Sequence, residues 1–149
     1  MNKSIQINED IFQNAVKFYS TMFNLPPLAS KIYSYLIFDF KKEGITFDEF
    51  VDVLSASKSS VSTNISFLIN SQLIIDINKM DERKRYFIIN ENYKKIRFEK
   101  IVKKMQDELQ LIDDLKKFSK NEDYDHKTEN YKSLLNKNIL NIQESLNKL

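Results

Sequence analysis

Apolar residues recur at helical spacing near the start of the chain. Ile11, Ala15, Phe18, Tyr19 and Met22 stand at i, i+4, i+7, i+8 and i+11, which predicts a helix from about Asn8 to Phe23. Pro26 and Pro27 end that run, and the second proline suits the first turn of a new helix, where its missing N–H costs nothing. Leu28, Ile32, Tyr35, Leu36 and Phe38 keep helical spacing through Asp39, and Gly44 then offers a left-handed cap to close the helix. Thr46 is followed three residues on by Glu49, the spacing of a capping box, with Ile45 and Phe50 placed as a hydrophobic staple. A short helix from Phe47 to about Leu54 follows.

A polar break, Ser55-Ala56-Ser57, leads into Lys58–Asn70. At 100° per residue Val61, Ile65, Leu68 and Ile69 share one face of this helix, and Ser59, Thr63, Ser66 and Asn70 share the other. Leu73–Asn78 and Tyr86–Ile89 are rich in β-branched and aromatic residues and flank the charged run Lys79–Arg85, which predicts a two-stranded hairpin with a charged tip. From about Glu91 onward there is no proline or glycine. Tyr93, Ile96, Ile101, Met105, Leu109, Ile112, Leu115 and Phe118 form one helical stripe, and Tyr131, Leu134, Leu135, Ile139, Ile142, Leu146 and Leu149 form another. The polar interval Lys120–Lys127 separates them. Two long apolar seams with little other chain to cover them predict a homodimer; the alternative is a monomer folded back on its first two helices.

Composition narrows the possibilities further. At 149 residues the chain has room for one domain of ordinary size. It has no cysteine, which removes zinc fingers, iron–sulfur clusters, thiol catalysis and disulfide scaffolds. Its one glycine, Gly44, cannot build a phosphate-binding loop, and its one histidine, His126, has no candidate nucleophile near it. An enzyme is not expected, nor is any cofactor. Glu122, Asp123, Asp125 and His126 read as a solvated linker rather than a metal site, because hard cations need a defined loop geometry. No apolar run reaches membrane-spanning length and no signal region opens the chain, so a cytoplasmic location is expected. Heavy use of lysine, asparagine and isoleucine suggests an AT-rich bacterial genome.

The net charge of +2 is unevenly distributed. Residues 1–54 carry five positive and seven negative charges, residues 55–98 eight and four, and residues 99–149 ten of each. The middle block, net +4, is where a polyanion would be drawn. There a capped short helix, a tight turn into a helix with a small polar front, and a hairpin with a basic tip stand in the order of a helix-turn-helix followed by a wing. Ser59, Ser60, Ser62, Thr63 and Asn64 are short enough to approach base edges. Lys58, Lys79 and Lys84 suit phosphate, and Arg83 and Arg85 suit phosphate or a narrow minor groove.

Over about residues 25–95 the chain resembles the MarR-type winged helix-turn-helix transcriptional regulators, and more narrowly their GbsR-like branch. The resemblance rests on Leu54-Ser55-Ala56-Ser57-Lys58-Ser59-Ser60-Val61-Ser62 leading to Leu68, and on Asp81-x-Arg83 followed by Arg85-Tyr86-Phe87. It implies that Arg83 enters the minor groove, that Asp81 orients it, and that terminal helices build a dimer. The helix here has no outward arginine and the wing has no glycine. The fold expected is mainly α with a small β-hairpin wing, as one regulator chain over residues 1–149. Residues 25–90 form the DNA-binding region, and residues 91–149 with 8–23 the dimerisation region. The expected function is sequence-specific binding of double-stranded DNA, as a homodimeric repressor on a pseudo-palindromic operator. The alternative is a winged-helix interaction module that does not bind DNA. Phe12, Phe18, Tyr19, Phe23, Tyr33 and Tyr35 allow an inducer pocket, although such residues more often form core and dimer interface.

Overall fold

A computed structural model of the chain describes residues 3–120 and 126–149. They divide into two compact units, Met1–Glu91 and Asn92–Leu149.

The first unit opens with α1 (Glu9–Met22), capped by Asn8, whose side-chain oxygen accepts from the Ile11 N–H at 3.0 Å. Glu9 and Asp10 place negative charge in the first turn, where the helix dipole favours it. Helix α1 packs against α2 (Pro27–Leu36), which begins at Pro27 as the sequence predicts. Tyr19, Phe23 and Tyr33 lie against one another there, with ring centroids 4.7 to 5.6 Å apart, and Phe12 and Tyr35 are buried. Phe12, Tyr33 and Tyr35 are core side chains, Tyr19 and Phe23 are half-buried beside them, and Phe18 is exposed.

Helix α2 is the central element of this unit, with Ala29, Ser30, Ile32, Tyr33, Ser34, Tyr35 and Leu36 all buried. The hydroxyls of Ser30 and Ser34, one turn apart, are buried without a hydrogen-bond partner. The helix stops at Leu36, short of the expected Asp39, because the Phe38 and Asp39 N–H groups bond three residues back, to Tyr35 and Leu36, and tighten the chain into turns. Asp39 then turns inward, and its carboxylate accepts from the N–H groups of Glu43 at 3.2 Å and Gly44 at 2.8 Å. Gly44 is not the cap of α2. It has the positive φ that the sequence reading requires of it, +93°, but uses it to enter a strand.

That strand, β1 (Ile45–Thr46), is absent from the sequence expectation. It is two residues long, too short for a periodic signal, and it exists because β3 lies beside it. The sheet has three antiparallel strands in the order β1-β3-β2, with β2 spanning Ile74–Asn78 and β3 spanning Arg85–Ile89. Ile45 pairs with Phe87 and Thr46 with Tyr86; on the other side Ile74 pairs with Ile89 and Asn78 with Arg85. The Phe50 ring lies between those of Tyr35 and Phe87, at 6.0 and 6.3 Å, and joins helix α2, helix α3 (Phe47–Leu54) and the sheet in one core.

The second unit is a pair of packed helices, α5 (Tyr93–Phe118) and α6 (His126–Leu146). Lys116 pairs with Glu129 at 3.3 Å and Lys132 with Asp113 at 2.6 Å, and Tyr131 donates to Glu108. Only Val102, Leu135 and Ile139 are buried in the two helices, while Leu111, Leu115, Leu134 and Leu140 are more than half exposed. Residues 121–125, which hold most of the expected polar interval and three of the four residues weighed as a metal group, lie outside the described residues. Among the described residues no helix is long and apolar enough to cross a membrane.

Candidate nucleic-acid interface

The site is built on two consecutive helix starts. Thr46 caps α3, its hydroxyl oxygen accepting from the Glu49 N–H at 3.2 Å. The capping box is half made. The Glu49 carboxylate does not return to Thr46 but accepts from the Tyr35 hydroxyl at 2.5 Å and from Ser4, through its N–H at 3.2 Å and its hydroxyl at 2.9 Å. Burial, with the Glu49 carboxylate as hydrogen-bond partner and nearby charge, pushes the Tyr35 phenol far above its usual range. Helix α3 ends at Ser55 in the left-handed conformation, φ 50°, and the chain turns through Ala56 into the next cap.

Ser57 caps α4 (Lys58–Asn70): its oxygen accepts from the Ser60 N–H at 3.2 Å while its hydroxyl donates to the Ser60 oxygen at 2.9 Å. Val61, Ile65 and Leu68 are buried, as the 3.6-residue period requires. Lys58, Ser59, Ser60, Ser62 and Thr63 are exposed on the first two turns, at the positive end of the helix dipole. Asn64 is half-buried, and its amide donates to the Ser60 carbonyl at 2.8 Å; Thr63 likewise donates to the Ser59 carbonyl at 3.0 Å. These back-bonds hold both side chains against their own helix.

The wing is the β2–β3 hairpin, and its basic residues fall into two groups. Arg85 and Lys79 are held within the hairpin. Arg85 Nε lies 3.0 Å from Asp76 Oδ2 and its guanidinium 5.1 Å from the Phe87 ring centroid; Lys79 Nζ lies 4.0 Å above the Tyr86 ring. The Tyr86 hydroxyl donates to the Glu82 carboxylate, and that hydrogen bond pushes the phenol up. Arg83 and Lys84 are exposed at the tip. Asp81 occupies the left-handed turn position there, φ 64°, and no hydrogen bond or ion pair joins it to Arg83. Among the described residues no group of three His, Cys, Asp or Glu side chains is placed to hold a metal ion.

Two features escaped sequence reasoning. Asp76 and Tyr86 organise the wing; Asp76 faces Phe87 and Arg85 faces Asn78, so Asp76 and Arg85 meet on the diagonal, a relation that only the strand register reveals. Phe67, four residues after Thr63, is 40% exposed on the flank of α4 although an aromatic residue reads by default as core.

No family model matches the chain, and no curated protein matches it. Among solved structures the chain is similar to a transcriptional regulator at 18% identity over 94% of this chain and 95% of that one, with a TM-score of 0.62. It is also similar to MepR, a transcription regulator of the Staphylococcus aureus multidrug efflux pump MepA, at 16% identity over 87% of each chain, with a TM-score of 0.45. The first likeness extends over nearly the whole chain, and the fold is that of the winged helix: mostly helical, with a small three-stranded antiparallel sheet.

Proposed function

We propose that the chain is a sequence-specific double-stranded DNA-binding regulator of transcription, of the MarR type and its GbsR-like branch, that acts without catalysing a reaction. The observation that carries this reading is the pairing, in one compact unit, of a capped helix that presents short hydroxyl side chains with a hairpin tip that presents two exposed cations, Arg83 and Lys84. Helix α4 then enters the major groove, Lys58 and Lys84 meet phosphate, and Arg83 reaches a minor groove. Residues 25–90 are the DNA-binding region of this proposal.

The working form is a homodimer on a pseudo-palindromic operator, and the regulator represses. Its support is the second unit, whose helices bury three side chains and leave leucines more than half exposed along both. Sequencing the DNA fragments that the purified protein retains from a genomic pool tests the reading. Enrichment of an inverted repeat is the result expected. Retention of no fragment above background at moderate salt would favour the interaction module.

A further inference from the structure

Side chains that read a base by paired hydrogen bonds are arginine or lysine for guanine and asparagine or glutamine for adenine. On the exposed surface of α4 only the two end residues, Lys58 and Asn70, belong to that set. Asn64, in the middle, is half-buried with its amide spent on the Ser60 carbonyl. The hydroxyls of Ser59, Ser62 and Ser66 serve as donor or acceptor alike, and so discriminate weakly between bases. What the middle of the helix does present is carbon. Thr63 turns its hydroxyl back to Ser59, which leaves its methyl as the group free to meet a partner. One turn further on, Phe67 exposes 40% of its surface on the same side, away from buried Val61, Ile65 and Leu68.

Base-pair edges in the major groove carry one apolar feature, the C5 methyl of thymine. We infer that α4 selects its site through thymine methyl groups, with Phe67 and the Thr63 methyl as the specificity-determining contact. This rests on the DNA-binding reading above. Serine hydroxyls and Lys58 hold the helix in the groove, and burial of methyl against ring discriminates T·A from C·G pairs, which lack that methyl.

The test begins with the best site selected by the wild-type chain from random duplex DNA, resynthesised with deoxyuridine replacing thymidine at one position at a time. Deoxyuridine keeps the base pair and removes only the methyl. Affinity is expected to fall about fourfold per methyl removed at the positions beneath α4, and to hold elsewhere. Phe67→Ala is expected to stay folded at the assay temperature, to bind the parent site more weakly and to lose its sensitivity to deoxyuridine; Phe67→Leu retains that sensitivity. Wild-type affinity unchanged by deoxyuridine at every position would overturn the inference while leaving DNA binding intact, as would full sensitivity in Phe67→Ala. Selection of no sequence at all would overturn both the inference and the reading beneath it.

Discussion

Gly44 lies directly against Tyr86 across the β1–β3 pair: with its φ of +93°, a Cβ on Gly44 would sit 2.6 Å from the Tyr86 Cβ. The one glycine of the chain therefore serves two needs together, a backbone conformation that L-residues adopt at a cost and a close approach that leaves no room for a methyl group. Tyr86 is also the residue whose ring lies beneath Lys79 and whose hydroxyl reaches Glu82, so the base of the wing is fixed from both ends of one side chain. Gly44→Ala is expected to lower stability by roughly 2–4 kcal/mol, combining left-handed strain with overpacking. Chemical denaturation checks it, and a variant as stable as wild type would show that β1 moves freely away from β3.

Tyr35 gives a pH dependence. Its hydroxyl is held protonated by burial and by the hydrogen bond to Glu49, so its folded pKa lies above the unfolded value near 10. A raised pKa stabilises fully below the unfolded value, and that contribution is lost as pH rises above about 10, where the unfolded chain releases its proton and the folded chain does not. Wild type is expected to lose stability steeply between about pH 10 and 11, and Tyr35→Phe to lose it less steeply. Near neutral pH the same variant should be about 1–3 kcal/mol less stable, for loss of a buried hydrogen bond to a carboxylate. Denaturation curves across this range settle the comparison, and parallel curves for the two proteins would contradict it.

The two faces of α4 separate stability from recognition. Ile65 is 3% exposed, and Ile65→Ala should cost about 2–5 kcal/mol of stability. Ser59→Ala and Ser62→Ala lie on the exposed side and should melt close to wild type while binding DNA more weakly, with little change in the preferred sequence. Thermal melts set beside binding curves test this. A serine variant that melts early yet binds DNA as tightly as wild type would place that side chain in the fold's support.

Much of this fold is legible in the sequence, for physical reasons that differ by element. The boundaries of α3 and α4 coincide with those read from the Thr46 cap and from the polar break before Lys58, because the caps that Thr46 and Ser57 supply bond locally and need nothing distant. The early end of α2 is not legible, because the turn hydrogen bonds of Phe38 and Asp39 leave the apolar spacing unchanged; strand β1 is not, because it depends on Gly44 and Tyr86, distant in the chain, meeting on folding. The same limit applies to the wing: composition identifies five basic residues around the turn into α4 and the hairpin, but only folding ties Arg85 to Asp76 and Lys79 to Tyr86.

The dimer proposed for the terminal helices has its own test. Light scattering of the intact chain at micromolar concentration is expected to give twice the monomer mass, 17.7 kDa. Replacing Leu111 and Leu115, each more than half exposed, with lysine should shift the chain toward monomer while leaving the melting of the first unit unchanged. An intact chain that is monomeric throughout would remove the dimer from the proposal.

The central claim is that α4 and the wing tip contact DNA, and its most direct measurement is the salt dependence of binding for wild type and Lys84→Ala on the recovered site and on scrambled DNA. Each phosphate contact contributes about −0.9 to the slope of log affinity against log salt. A dimer that loses Lys84 from both copies should therefore show a slope flatter by about two, with affinity reduced on both DNAs alike. Arg83→Ala beside it should also weaken the preference for AT-rich flanks, where a narrow minor groove attracts the guanidinium. Slopes and affinities that match wild type in both variants would contradict the account, since the exposed cations of the hairpin would then play no part in holding DNA.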